Sequence, residues 1–222
     1  MKNIFTFYIL LLLGFFLNAQ NLKSPDNNLD LNFSIDEKGR AFYSLNFHDK
    51  PVILNSGLGF MLKDNVEWMK IDTLDMMNNF KILNVTFDSV DEYWNPVWGE
   101  ESEIRNNYNE MFVELEQKES ERKVNIRFRL FDDSLGFRYE FPLQEKLGSF
   151  IIIDEKTEFA MAGDHTAIWI PGDYDTQEYN YTTSKLSEIE QKSIEFREEN
   201  VSMYRISNWA VQTALMMKSQ NG

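Results

Sequence analysis

Residues 163–179, GDHTAIWIPGDYDTQEY, set His165, Trp169, Tyr174 and Tyr179 among Asp164, Asp173, Asp175 and Glu178. Aromatic rings offer flat apolar faces that stack on a sugar ring, and carboxylates offer hard oxygen donors to a cation. Pro171-Gly172 breaks any regular element, so the segment reads as a loop leaving a short apolar strand. Asp173, Asp175 and Glu178 follow the spacing D-x-D-x-x-E. The spacing does not fit an EF-hand loop, which needs further oxygen positions, a glycine inside it and a glutamate at its end. The spacing alone therefore leaves a cation site and a solvated loop both open.

Other residues that could do chemistry are better explained by structure. Trp94, Trp98 and Trp169 could stack on sugars, but core or domain-interface packing is the expected role of each. Pro96 and Gly99 make Trp94–Glu100 a rigid loop in which an indole could stand exposed. His165 is expected to be a hydrogen-bonded structural histidine. Glu103 and Arg105 are expected to form an ion pair. Hydrolysis of a glycosidic bond needs two carboxyl groups flanking the scissile bond. Glu100/Glu101 and Asp132/Asp133 are adjacent in sequence, and neighbours on a strand point to opposite faces. Neither is an acid/base pair, and no residue of this chain is assigned a catalytic role.

The elements that must position these residues read mostly as strands. Leu29, Leu31, Phe33 and Ile35 alternate with polar residues, a turn follows at Asp36–Arg40, and Tyr43, Leu45 and Phe47 alternate back, which predicts a hairpin over 29–47. Met111, Val113 and Leu115 alternate, as do Val124, Ile126, Phe128 and Leu130. Asp132-Asp133-Ser134 then turns the chain into Phe137, Tyr139 and Phe141. Such antiparallel strands with one apolar face need a second sheet to cover them. The fold expected is a mainly β, large antiparallel β-sandwich. Phe150–Ile153 is apolar on both faces and predicts a central strand. Residues 184–200 carry only a weak helical stripe and read either as a short surface helix or as a mobile excursion. Val211–Lys218 reads as one strand. The Asn221-Gly222 turn signal after it has no returning strand, so the chain reads as a domain incomplete at its C-terminal end.

The composition narrows the partners. The formal net charge is −14, from 22 basic and 36 acidic residues. Nucleic-acid binding needs clustered Lys and Arg to displace phosphate counterions, so that class is set aside. The chain has no cysteine, which removes disulfides, thiolate metal sites and a lipid anchor at cysteine. Lys2 followed by the apolar run Ile4–Leu17 and by Ala19 reads as a secretory signal peptide over 1–19. The run is short of the roughly 20 apolar residues that span a bilayer. A periplasmic or secreted protein is expected, with no membrane contact after cleavage.

Residues 163–179 resemble the corresponding segment of glycoside hydrolase family 97, whose members act on α-glucosides or α-galactosides. YWNPVWGEESEIRNNYNE (93–110) and RFRLFDDSLGFRYEFP (127–142) carry the same resemblance, as do LKSPDNNLDLNFSID (22–36) and VQTALMMK (211–218). The resemblance implies an N-terminal β-super-sandwich over 20–222 that precedes a (β/α)8 catalytic barrel absent here. It implies an α-linked oligosaccharide as substrate and calcium as cofactor. In that family the glutamate of the matching Gln-Glu-Tyr ligates calcium, which places the metal role on Glu178. The other protein ligands and the catalytic carboxyl groups belong to the barrel. Asp173 and Asp175 have no such warrant and are expected to cap the turn. The function expected is the N-terminal domain of an exported calcium-dependent α-glycosidase, inactive alone. The alternative is a carbohydrate-binding sandwich of the cell envelope without catalysis.

Overall fold

The structure, a computed structural model, describes residues 19–64, 73–173, 175–195, 207–212 and 214–219. The segment up to Asn18, read above as a signal peptide, and Tyr174, residues 196–200 and Asn221-Gly222 lie outside the described residues. The chain divides into two compact units, residues 1–160 and 161–222.

The first unit is a β-sandwich. Strands β1 (Gln20–Lys23), β2 (Leu29–Ile35), β3 (Ala41–Phe47) and β4 (Lys50–Leu58) form an antiparallel sheet in chain order. After β5 (Phe60–Asp64) and β6 (Thr73–Met76), strands β7 (Phe80–Trp94), β8 (Ile104–Gln117), β9 (Lys123–Leu130) and β10 (Leu135–Glu140) form a second antiparallel sheet. The alternation read from the sequence is the burial pattern observed. Leu31, Phe33 and Tyr43 from the first sheet and Met111, Val113, Phe128 and Leu130 from the second are fully buried. Phe33 lies 5.8 Å from Phe128, and Tyr43 lies 5.4 Å from Phe137, ring centre to ring centre. The two apolar faces therefore cover one another, and each large side chain so buried contributes about 1.5–3 kcal/mol.

Turns lock the sheets together. Gly39, at φ +69°, closes the β2–β3 hairpin, and a Cβ there would sit 2.4 Å from the Phe80 backbone nitrogen. That close approach lets Asn79 N–H donate to the Lys38 carbonyl at 2.8 Å and Phe80 N–H to the Gly39 carbonyl at 3.0 Å. Asp36 shapes the same turn by accepting the backbone N–H groups of Lys38 and Arg40. The second sheet's other face is polar but not bare. Glu110 is buried there, accepting Arg129 Nε at 2.8 Å and a contact from Arg127.

One strand departs from expectation. β11 (Phe150–Glu155) pairs only with β5 in the sheet β11-β5-β6, so among the described residues it is an edge, not a central, strand. Ile151, Ile152 and Ile153 are about half exposed. Phe150 alone turns inward, 4.7 Å from Phe141.

The second unit is smaller. β12 (Thr166–Trp169) sits between β14 (Thr182–Lys185) and β16 (Met216–Lys218), and β13 (Pro171–Gly172) pairs with β15 (Ser207–Val211). The single strand expected over Val211–Lys218 is thus two strands, each with a partner, separated by a break around Gln212. The charged stretch after β14 is a short helix, a 3-10 turn at Leu186–Glu188 running into α1 (Ile189–Glu195).

Candidate functional site: the loop between β12 and β14

β12 and β14 are the arms of a hairpin with the register Thr166↔Lys185 to Trp169↔Thr182. Residues 170–181 are the excursion at its end. Trp169 is fully buried, and its Nε1–H donates to Ser184 Oγ across the hairpin at 3.0 Å. This indole is a structural post, as expected. Ile170 and Tyr179 pack together as a small buried cluster, which draws both ends of the excursion inward.

Asp173 is the hub of the loop. It is buried, its Oδ1 accepts Asp175 N–H at 2.9 Å, and its Oδ2 accepts the Tyr179 hydroxyl at 2.6 Å. Both carboxylate oxygens are thereby spent on the turn, the capping role expected of it. Asp175 takes part through its backbone, and its side chain is exposed. Gln212, just past β15, donates Nε2–H to the Asp173 carbonyl at 2.7 Å and its own N–H to the Ile170 carbonyl at 3.1 Å.

Glu178 stands exposed beside buried Tyr179. Its N–H donates to Thr176 Oγ1 at 3.2 Å, while its carboxylate takes no hydrogen bond or ion pair among the described residues. A charged acceptor held at the surface by its neighbours, with both oxygens free, is chemically suited to a hard cation. It suits one ligand position only. Among the described residues no three His, Asp or Glu side chains gather to hold a metal, and calcium takes roughly six to eight oxygens.

The loop's N-terminal flank is ordered by Asp164. Ser187 donates its N–H and its hydroxyl to the two Asp164 carboxylate oxygens, each at 2.9 Å. These bonds, led by the backbone N–H, hold the Asp164 carboxyl below its ordinary range. His165 differs from expectation. Its backbone is bonded to Gly163 and Leu186, but its Nδ1 is buried with no hydrogen-bond partner among the described residues. Its ring packs on Gly163, where a Cβ would stand 3.1 Å from Cε1.

The remaining candidates lie in the first unit. Trp94 is half exposed and Trp98 is 87% exposed, so neither is a core residue. They sit at the end of the β7–β8 ribbon, which runs past the last β9 pairing at Asn109. Arg105 pairs with Asp91 instead of Glu103, through two 2.8 Å bonds across that ribbon. A cross-strand partner fixed by register displaced the neighbour in sequence. Asp132 accepts Asp26 N–H at 2.8 Å, and Asp133 accepts the Ser134 hydroxyl at 3.0 Å, so both stabilise turns. The supports of Glu178 escaped the sequence reading. Tyr179 lay next to it in Gln-Glu-Tyr, but Gln212 is 39 residues from Asp173 and had no local signal.

Comparison with known proteins places these features in a family. The glycosyl-hydrolase 97 N-terminal family matches residues 22–222. The retaining alpha-galactosidase of Bacteroides thetaiotaomicron is 25% identical over 187 residues, covering 79% of this chain and 25% of that protein. A glycoside hydrolase family 97 enzyme of Pseudoalteromonas sp. strain K8, solved with acarbose, superposes with TM-score 0.68 at 34% identity, over 76% of this chain and 25% of that one. A variant of the same enzyme, solved with panose, gives TM-score 0.66 at 34% identity, over 74% and 24%. The chain spans about a quarter of the length of these relatives. The family match over residues 22–222 makes the chain a member of the glycoside hydrolase family 97 N-terminal domain family.

Proposed function

We propose that this chain serves as the N-terminal domain of an exported, calcium-dependent α-glycosidase acting on α-linked oligosaccharides, and that Glu178 supplies one calcium ligand at the wall of the active site. The observation that carries this reading is the Glu178 carboxylate, exposed and without a partner among the described residues, directly beside buried Tyr179 on a loop whose turn is capped by buried Asp173. The relatives support the substrate class, since one is a retaining alpha-galactosidase and another was solved with panose and with acarbose. Bound calcium would supply a fixed positive charge. This chain's part is to hold one oxygen donor and to shape the wall, while the carboxyl groups that cleave the bond lie in the catalytic barrel. Export rests on the apolar run Ile4–Leu17 ending at Ala19.

The test is the calcium dependence of hydrolysis by the full-length protein. Glu178→Gln keeps the shape of the side chain and removes its charge. It is expected to lower the rate and to raise the calcium needed for half-maximal rate by about tenfold, as loss of a charged ligand should. Asp175→Asn is expected to change that calcium requirement much less. A wild-type calcium response in Glu178→Gln would refute the assignment.

The exposed indoles of Trp94 and Trp98 favour a second reading, a non-catalytic carbohydrate-binding sandwich. A full-length protein that binds α-linked oligosaccharides without cleaving them would establish it over the first.

A further inference from the structure

Three side chains brace the 170–181 excursion, and two of them, Tyr179 and Asp173, are buried. Tyr179 has its ring against Ile170 and donates its hydroxyl to Asp173. Asp173 is buried and caps the turn through its other oxygen. Gln212 reaches from the end of β15 to the Asp173 carbonyl at 2.7 Å and to the Thr176 carbonyl at 3.5 Å. With Tyr179 drawn inward, its neighbours Glu178 and Asn180 are both exposed. The direction of Glu178 is thus set by a residue that itself never meets solvent.

We propose that Tyr179, Asp173 and Gln212 form a positioning clamp that fixes the loop backbone at Glu178 and so presents its carboxylate to a divalent cation. The inference rests on the reading of Glu178 given above. A loop backbone that must be ordered on binding weakens the site, because its immobilisation opposes association, whereas one already held does not. Phenol-to-carboxylate bonds are among the stronger hydrogen bonds of proteins, being charge-assisted. The 2.6 Å bond of Tyr179 therefore has the strength to hold the loop against the repulsion among Asp173, Asp175 and Glu178.

The experiment measures calcium affinity by calorimetric titration of the full-length protein, alongside kcat at saturating calcium and the thermal midpoint without calcium. Tyr179→Phe keeps the ring and removes only the hydroxyl. It is expected to weaken calcium binding about tenfold, in line with loss of one hydrogen bond to a charged group, while kcat at saturating calcium stays within about twofold. Asp173→Asn still accepts Asp175 N–H but meets the Tyr179 hydroxyl with a neutral amide, so it is expected to weaken calcium binding, by no more than Tyr179→Phe does. A loss in Asp173→Asn far beyond that of Tyr179→Phe would make Asp173 a ligand instead of a support and overturn the proposal. Wild-type affinity in Tyr179→Phe, with weakened affinity in Glu178→Gln, would overturn the clamp and leave Glu178 as ligand. Wild-type affinity in Glu178→Gln would remove the reading beneath it as well. If Tyr179→Phe lowers the calcium-free thermal midpoint beyond use, Gln212→Met carries the same expectation with the buried ring intact.

Discussion

Tyr43 and Tyr139 carry hydroxyls into the aromatic interior of the first unit. Tyr43 is fully buried and donates to the Glu158 carbonyl at 2.8 Å. Tyr139 packs edge-on to Phe60, ring centres 4.4 Å apart, and shares a 2.7 Å bond with Thr157 Oγ1. Burial disfavours the phenolate. It pushes Tyr139 up to about 12, and it pushes Tyr43 higher still, helped by the nearby Tyr139 and Glu158. The folded state then holds these protons more tightly than the unfolded chain, whose tyrosines titrate near ~10. This stability is fully present below pH ~10 and is lost as the pH rises from there through about 12. Urea midpoints measured between pH 9 and 11 are expected to fall over the upper part of that range, and Tyr139→Phe is expected to flatten the fall. Equal slopes for the two proteins would show that Tyr139 is not the group responsible.

The element that ties the sandwich together is the β2–β3 turn docked on the start of β7. Gly39 is essential to it on two counts. Its φ of +69° costs an L-residue about 1–2 kcal/mol, and a Cβ would collide with the Phe80 backbone. Backbone cannot swing aside as a flexible side chain can, so Gly39→Ala is expected to cost at least about 2 kcal/mol. Gly136, in β10, has nothing within 4 Å of where its Cβ would stand. Gly136→Ala is the control, with an expected change within about 0.5 kcal/mol, as for an open surface position. Chemical denaturation of the two variants compares them directly. A Gly39→Ala protein as stable as the Gly136→Ala protein would mean that the turn does not hold the sheets. Helix α1 is held differently, by Ser187 bonds to Asp164 at the head of the preceding 3-10 turn, and not by an apolar stripe of its own.

At the scale of the molecule, many of the described carboxylates hold the fold together. Glu110 is engaged by arginines, Asp36, Asp132, Asp133 and Asp173 by turns, and Asp91 by Arg105. Hydrolysis needs two carboxyl groups set across the bond, and the resemblance assigns both to the barrel and neither to this chain. The purified 20–222 chain is expected to leave p-nitrophenyl α-glucoside and α-galactoside intact. Turnover above the buffer rate on either substrate would place a catalytic pair within it. The partnerless strand expected near the C-terminal end is instead β15 paired to β13 and β16 paired to β12.

The strands of the sandwich were legible because period-two alternation states which face is buried, and Leu31, Phe33, Tyr43, Met111, Val113 and Phe128 all face inward as their spacing required. The family was legible because its aromatic and acidic segments are long and ordered. Local rules also gave the turn at Asp36–Arg40 and the capping by Asp173. What failed were inferences about which element lies beside which. Phe150–Ile153 had the composition of a central strand, yet hydrogen-bonds on one side only, because apolarity does not count neighbours. Arg105 found Asp91 across a ribbon whose register no local rule specifies. Trp94 and Trp98 stand at the end of a ribbon that outruns its sheet, while Trp169, no different in type, is buried on a hairpin. Gln212 reaches Asp173 only because β13 pairs with β15. Side-chain chemistry and periodicity are written in short stretches of chain, whereas strand neighbours are fixed by packing among residues far apart in sequence, and only the folded structure decides them.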